Sequence, residues 1–302
     1  MKKGTAIKPS KEDRIFYGVV LVIVTLIFLT VLYPIIYVIS ASFSSPTAVS
    51  TGKVVLWPVE FGLDGYKAVF ENKDVLIGYR NTLFYTVSGT LINVIATLFA
   101  AYPLSRSDFA GRRYFLFFFT FTMLFSGGLV ASYVVNSNIL GLRNTIWVLI
   151  LPLMVSSYNI VICKTYFKTS IPDGIIESAK IDGATQMRTF LSIVVPISKP
   201  LFATIALFLS FGYWNDWFLS SLYISDKRLI SLQALLNNIM RSLEYMTNNP
   251  TAGVSLQQYR AQMPGESVRM AIAIVIVIPI ACAYPFFQKY FISGLTIGAV
   301  KG

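Results

Sequence analysis

Six long apolar runs decide what this chain can become. They lie at about residues 15–41, 77–104, 114–135, 145–167, 197–224 and 269–287. A bilayer core of about 30 Å takes roughly 20 apolar residues to cross as a helix, and each run is long enough. Hydrophobic residues make up 55% of the 302 and charged residues only 13%, whereas a soluble domain is nearer a quarter charged. The mean hydropathy of +0.65 agrees. The expectation is an all-α membrane protein with six transmembrane helices. A cleavable signal peptide does not fit the first run, which far exceeds the 7–15 apolar residues of a signal core; Pro34 is expected to kink it.

The polar connections carry the orientation. Fifteen Lys and Arg residues fall in residues 1–14, the 103–113 loop, the 164–199 segment and the tail, against eight spread over the longer opposite loops. The denser side is cytoplasmic by the positive-inside rule. That predicts both termini inside (N-in/C-in), with residues 1–14 a cytoplasmic N-terminus and 288–302 a cytoplasmic tail. Residues 15–302 form the membrane domain, and residues 225–268 an extracellular loop. Leu232, Leu235, Leu236, Ile239 and Met240 of that loop predict a short amphipathic helix on the outer surface. The loop from Phe43 to about Leu76 also belongs outside.

The same composition excludes several chemistries. The chain has no histidine, so Ser-His-Asp triads and imidazole zinc sites are absent. No G-x-x-x-x-G-K-[ST] phosphate loop occurs, so ATP hydrolysis by the usual route is not available to this chain. The net charge of +11 suits basic loops at an anionic inner leaflet. With no aromatic-interleaved basic tract, nucleic acid is not an expected partner. Cys163 and Cys282 read as small hydrophobes rather than a disulfide framework. No cofactor or metal is expected, and no enzymatic role.

One polar, helix-competent segment, residues 171–196, lies between the fourth and fifth runs on the inner side. Pro172 suits a first helical turn, and Asp173 and Glu177 sit near the positive dipole end. Ile175, Ile176 and Ala179 share a face at helical spacing. Asp182 and Gly183 break the helix, and Asp182 is placed to cap a second one running to Pro196. The expectation is a short helix, a turn and another short helix.

The spacing of Glu177, Ala179, Gly183, Ile193 and Pro196 resembles the EAA loop of ATP-binding-cassette (ABC) importer permeases, with Ser178 where the family usually has Ala and Val195 where it usually has Leu. Further stretches are similar to the maltose-transporter-like, oligosaccharide and polysaccharide branch. They are Arg80-Asn81-Thr82, Ala101-Tyr102-Pro103-Leu104-Ser105, Phe125-Ser126-Gly127-Gly128, Trp214-Asn215-Asp216, Met263-Pro264-Gly265-Glu266-Ser267-Val268-Arg269-Met270-Ala271 and the ending Gly294-Leu295-Thr296-Ile297-Gly298-Ala299-Val300-Lys301-Gly302. Ala131 departs from the pattern, which often has Pro after the Gly-Gly turn. The resemblance implies the type I ABC importer permease fold in the bacterial cytoplasmic membrane and import of a sugar, an oligosaccharide above all. It implies a second related permease subunit, two ATPase subunits and an extracellular solute-binding protein as partners. It also implies a coupling helix seated in a cleft of the ATPase, with a tail that reaches toward the ATPase.

On that reading Glu177, Ser178, Ala179, Asp182, Gly183 and Ala184 form the coupling set. Asn93, Tyr158, Asn159, Trp214, Asn215 and Asp216 are candidates for the substrate path, because sugars are held by aromatic faces with amide and carboxylate hydrogen bonds. Asp216 is the most inward acidic residue, and it could equally anchor at the interface beside Trp214 and Trp217. The alternative class is a secondary, ion-coupled transporter of a small polar solute, which calls for midplane carboxylates and internal repeats. An intramembrane enzyme is disfavoured by the missing histidine and the missing G-x-S-x-G.

Overall fold

A computed structural model describes residues 10–248 and 265–299. Lys2, Lys3 and Lys8, the middle of the 225–268 loop and the last three residues lie outside the described residues. Every described element is a helix or a turn. The chain divides into two compact units, Met1–Glu71 with Ala261–Val275, and Asn72–Arg260 with Ile276–Gly302.

In the first unit, α1 (Lys11–Ser42) starts in a capping box: Ser10 Oγ accepts from the Asp13 amide, and the Ser10 amide donates to Asp13. Two short helices, α2 (Pro46–Ser50) and α3 (Asp64–Glu71), occupy the segment expected as a plain loop. Ala41, Ala48, Val49 and Val54 bury a small core there, with Met270 packed against it. The last helix, α15 (Glu266–Ala299), contributes to both units.

The second unit is built on α4 (Lys73–Ser105). Against it pack α5 (Arg112–Leu124), α7 (Trp147–Ile150), α8 (Ser157–Ser170) and α12 (Lys199–Trp214). Gly89 lets α12 come close, since a Cβ there would meet the Tyr213 ring at 2.5 Å. The start of the 225–268 loop is tied to the same helix. Asn81 donates to the carbonyls of Arg228 and Ile230, Tyr85 donates to Leu229, and Thr82 accepts from the Leu232 amide. That explains the Arg80-Asn81-Thr82 stretch: its polar side chains hold the start of α14 (Leu232–Asn248), the amphipathic helix expected in this loop.

Three helices among the described residues are long and apolar enough to cross a membrane: α1, α4 and the Glu266–Phe286 part of α15. The third, fourth and fifth runs are broken. α5 and α6 (Gly128–Val134, extended by a π-helical turn to Ile139) meet at 115°. With 13 residues, α5 measures roughly 20 Å, so the third run is not the straight span expected. Its hinge is Gly127-Gly128, and Gly128 holds a φ of +81° that a side chain would resist. The phenylalanines of α5 stay mostly exposed, as expected for lipid- or partner-facing rings. α7 continues as a 3₁₀ turn, Leu151–Leu153, and bends 48° into α8 at the Pro152 interruption. The fifth run ends at Trp214 and restarts as α13 (Phe218–Tyr223), shorter than the continuous helix expected to Ile224.

Candidate coupling segment and substrate path

The segment 171–196 folds as the expected pair of short helices. α9 (Asp173–Ile181) is followed by α10 (Gln186–Thr189), a π-helical turn (Phe190–Val194) and α11 (Val195–Ile197), which bend 78° into α12. Two details differ from expectation. Asp182 closes α9 and does not cap α10; Thr185 does, accepting from the Arg188 amide at 3.3 Å. The buried face is Ile176 and Ala179, while Ile175 is exposed.

The turn satisfies its own backbone. The Ala184 amide donates to Ala179 at 2.9 Å and the Gly183 amide to Lys180 at 3.0 Å, the paired bonds of a Schellman motif. Gly183 sits at φ +76° with open space around its Cα. Backbone conformation alone favours glycine there.

The base of the segment is packed. Ile176, Phe190 and Val194 join Leu98, Ala101, Tyr102, Cys163 and Phe167 in one buried core of this unit. Polar bonds flank that packing. Buried Arg106 donates to Asp173 Oδ1 and to the Phe167 carbonyl, each at 3.2 Å. Lys180 donates to Asp108 at 2.9 Å. That bond holds the Asp108 carboxyl below its ordinary range and raises Lys180. Arg106, Asp108 and Thr185 were not singled out by sequence reasoning. The basic cluster 106–113 was visible only as an orientation signal.

The tip is different in character. Ile181 is 86% exposed and Met187 52%. Glu177, Ser178, Asp182 and Gly183 are exposed too, and the Glu177 carboxylate makes no hydrogen bond or ion pair among the described residues. Gly174, Ser178, Asp182, Arg188 and Ile193 help line a concavity of about 700 Å³ between the two short helices. Ser178 Oγ folds back onto the Gly174 carbonyl at 2.8 Å, so this face is sterically low.

The substrate-path candidates separate into two groups. Asn93 is fully buried; its amide donates to the Leu153 carbonyl, and its oxygen accepts from Thr97 at 3.0 Å. Trp214 is buried and donates to the Ile276 carbonyl at 3.0 Å. Both side chains are turned onto backbone carbonyls inside this unit. Tyr158 is exposed and Asn159 half-buried. Tyr158 helps line a concavity of about 570 Å³ with Phe118, Phe119, Thr122, Ser156 and Ser157. Asn215 and Asp216 lie at the α12–α13 corner, where Asp216 caps α13 by accepting from Leu219 at 3.2 Å and Asn215 accepts from Gln233.

Residues 79–297 match the family model described as binding-protein-dependent transport system inner membrane component. The chain belongs to that family: it is a multi-pass permease subunit of an ABC importer in the cytoplasmic membrane. It works with a partner permease and a binding protein, and ATP hydrolysis belongs to a separate subunit. It is 36% identical, over 96% of its length and 98% of the other's, to the polygalacturonan/rhamnogalacturonan transport system permease protein YtcP of Bacillus subtilis. It is 37% identical to the protein LplC of the same organism, over 89% of each chain. A crystal structure of a bacterial ABC transporter that imports the acidic polysaccharide alginate contains a chain similar to this one. The TM-score is 0.84 and the identity 32%, covering 95% of this chain and all of that one.

Proposed function

We propose that α9 to α11 form the coupling segment of this permease, with Glu177, Ser178, Ala179, Asp182, Gly183 and Ala184 at or beside the contact with an ATPase subunit. The observation that carries the reading is the contrast within the segment: a base fixed by core packing and Arg106, and an exposed tip of Ile181, Asp182 and Gly183. A rigid knob can pass motion from a nucleotide-driven cleft to membrane helices; a floppy loop cannot. The chain crosses the membrane six times with both ends inside, each bent pair counting as one crossing, and the knob lies on the cytoplasmic side. The complex holds one second permease and two ATPase subunits, and the 225–268 loop meets the binding protein outside.

The cargo proposed is an oligosaccharide. A relative named for polygalacturonan/rhamnogalacturonan transport and a similar chain from a transporter involved in alginate import support this. The path runs past Tyr158, Asn159, Asn215 and Asp216, while Asn93 and Trp214 brace it from behind.

The test is Gly183→Asp in the assembled transporter. Asp tolerates the left-handed conformation better than most residues, so the fold and co-purification of the ATPase persist. The added charge at the tip abolishes uptake while hydrolysis continues. Normal uptake by this variant refutes the coupling assignment.

A further inference from the structure

Arg106 stands where three helices end. Its Nε donates to Ser105 Oγ at 3.0 Å, at the close of α4. Its Nη2 donates to the Phe167 carbonyl at 3.2 Å, in the last turn of α8, where carbonyls lack an intrahelical donor. Its Nη1 donates to Asp173 at 3.2 Å, in the first turn of α9. The guanidinium also lies 5.7 Å from the centre of the Tyr102 ring, and Tyr102 reaches Gln186 of α10 at 3.4 Å.

The side chain of Arg106 is only 9% exposed, whereas that of Asp173 is 86% exposed. A planar fork held on three sides and shielded from water is stiff, which a flexible ammonium on one contact is not. The Asp108–Lys180 bond, from the same loop to the far end of α9, keeps that helix from swinging about the fork.

We propose that Arg106 is the positioning residue through which displacement of α9 is passed to α4 and α8. This rests on the coupling reading above and deepens it by naming the joint. Apolar packing of Ile176 holds α9 near the core but permits sliding; the fork fixes its direction. Asp173 is itself exposed, and without it Ser105 and the Phe167 carbonyl still hold Arg106.

The test uses the full transporter reconstituted with its ATPase subunits, so no solute is needed. Spin labels replace exposed Leu91 on α4 and Val130 on α6, and their separation is read with and without ATP and Mg²⁺. In parallel, Asp182→Cys reports contact of the tip with the ATPase by crosslinking. The expected result is an ATP-driven distance change in the labelled protein that drops to less than half in Arg106→Gln. It also drops in Asp173→Ala, which removes the acceptor oxygen while the fold and the crosslink persist. Arg106→Lys restores part of the change. A full distance change in Asp173→Ala, with the crosslink intact, overturns the joint and leaves the coupling reading standing. This arm decides even if Arg106→Gln fails to fold. Loss of the crosslink in the otherwise unaltered protein sinks the coupling reading and the joint with it. A crosslink without any ATP-driven change overturns the joint as well.

Discussion

Two breaks in the helices of the second unit solve one problem in opposite ways. At Asp182-Gly183, α9 stops and the freed carbonyls of Ala179 and Lys180 are met by the chain's own amides at Ala184 and Gly183. At Ile150–Ser156 the chain interrupts its fourth apolar run, and the donors come from elsewhere. Asn93 of α4 donates to the Leu153 carbonyl, and Tyr213 of α12 donates to the Ile150 carbonyl at 3.2 Å. The first break is exposed; the carbonyl bonds of the second are set among buried side chains. Water can always satisfy a broken turn, so an exposed break needs only local chemistry. Lipid cannot, so a break within it must find partners across helices. The self-satisfied break is therefore free to project as a tip, whereas the one met by Asn93 and Tyr213 ties three helices together.

The contrast can be broken experimentally. Asn93→Leu carries the largest expected effect. It strands the Leu153 carbonyl and removes the acceptor of Thr97, for a loss of about 2 kcal/mol, by the cost of a buried unsatisfied group. The thermal midpoint and folded yield in detergent measure it; an unchanged midpoint means lipid-side breaks do not need distant donors. Gly183→Ala comes next. With open space around Gly183, only backbone strain is added, about 1 kcal/mol. A loss exceeding that of Asn93→Leu would reverse the comparison.

The smallest effect belongs to the Asp108–Lys180 bond beside the exposed break. Its partner lowers the Asp108 pKa from the ordinary 3.8. The stabilisation is thus present above the unfolded value and lost as the pH falls through the lower folded value. Asp108→Asn should reduce the midpoint slightly at neutral pH and not at all once the pH is below both values. A deficit that persists in acid would show that Asp108 acts through something other than its charge.

The contrast also explains what could be read in advance. The Asp-Gly signal at 182–183 marked the exposed break because turn chemistry is local, yet the capping role went to Thr185 instead of Asp182. Pro152 marked the other break, but nothing near it pointed to Asn93, 60 residues away, as the donor. Asn93 and Trp214 are candidates for a solute path because polar and aromatic groups within apolar runs suggest one. Their buried bonds to the carbonyls of Leu153 and Ile276 became visible only once the helices were packed. Arg106 was counted as a charge, since no spacing rule tells a loop arginine from one that joins three helix ends.

Apolar length and the placement of prolines and glycines determined, from sequence alone, that this chain is helical, membrane-embedded and interrupted by a polar knob, because burial in lipid and backbone freedom depend on each residue and its near neighbours. Which way the broken runs bend, which side chains meet the freed carbonyls and what holds the base of the knob were decided by the tertiary structure. Those depend on distances between residues far apart in the chain, and a hydrogen bond forms only where packing brings its two ends within about 3 Å.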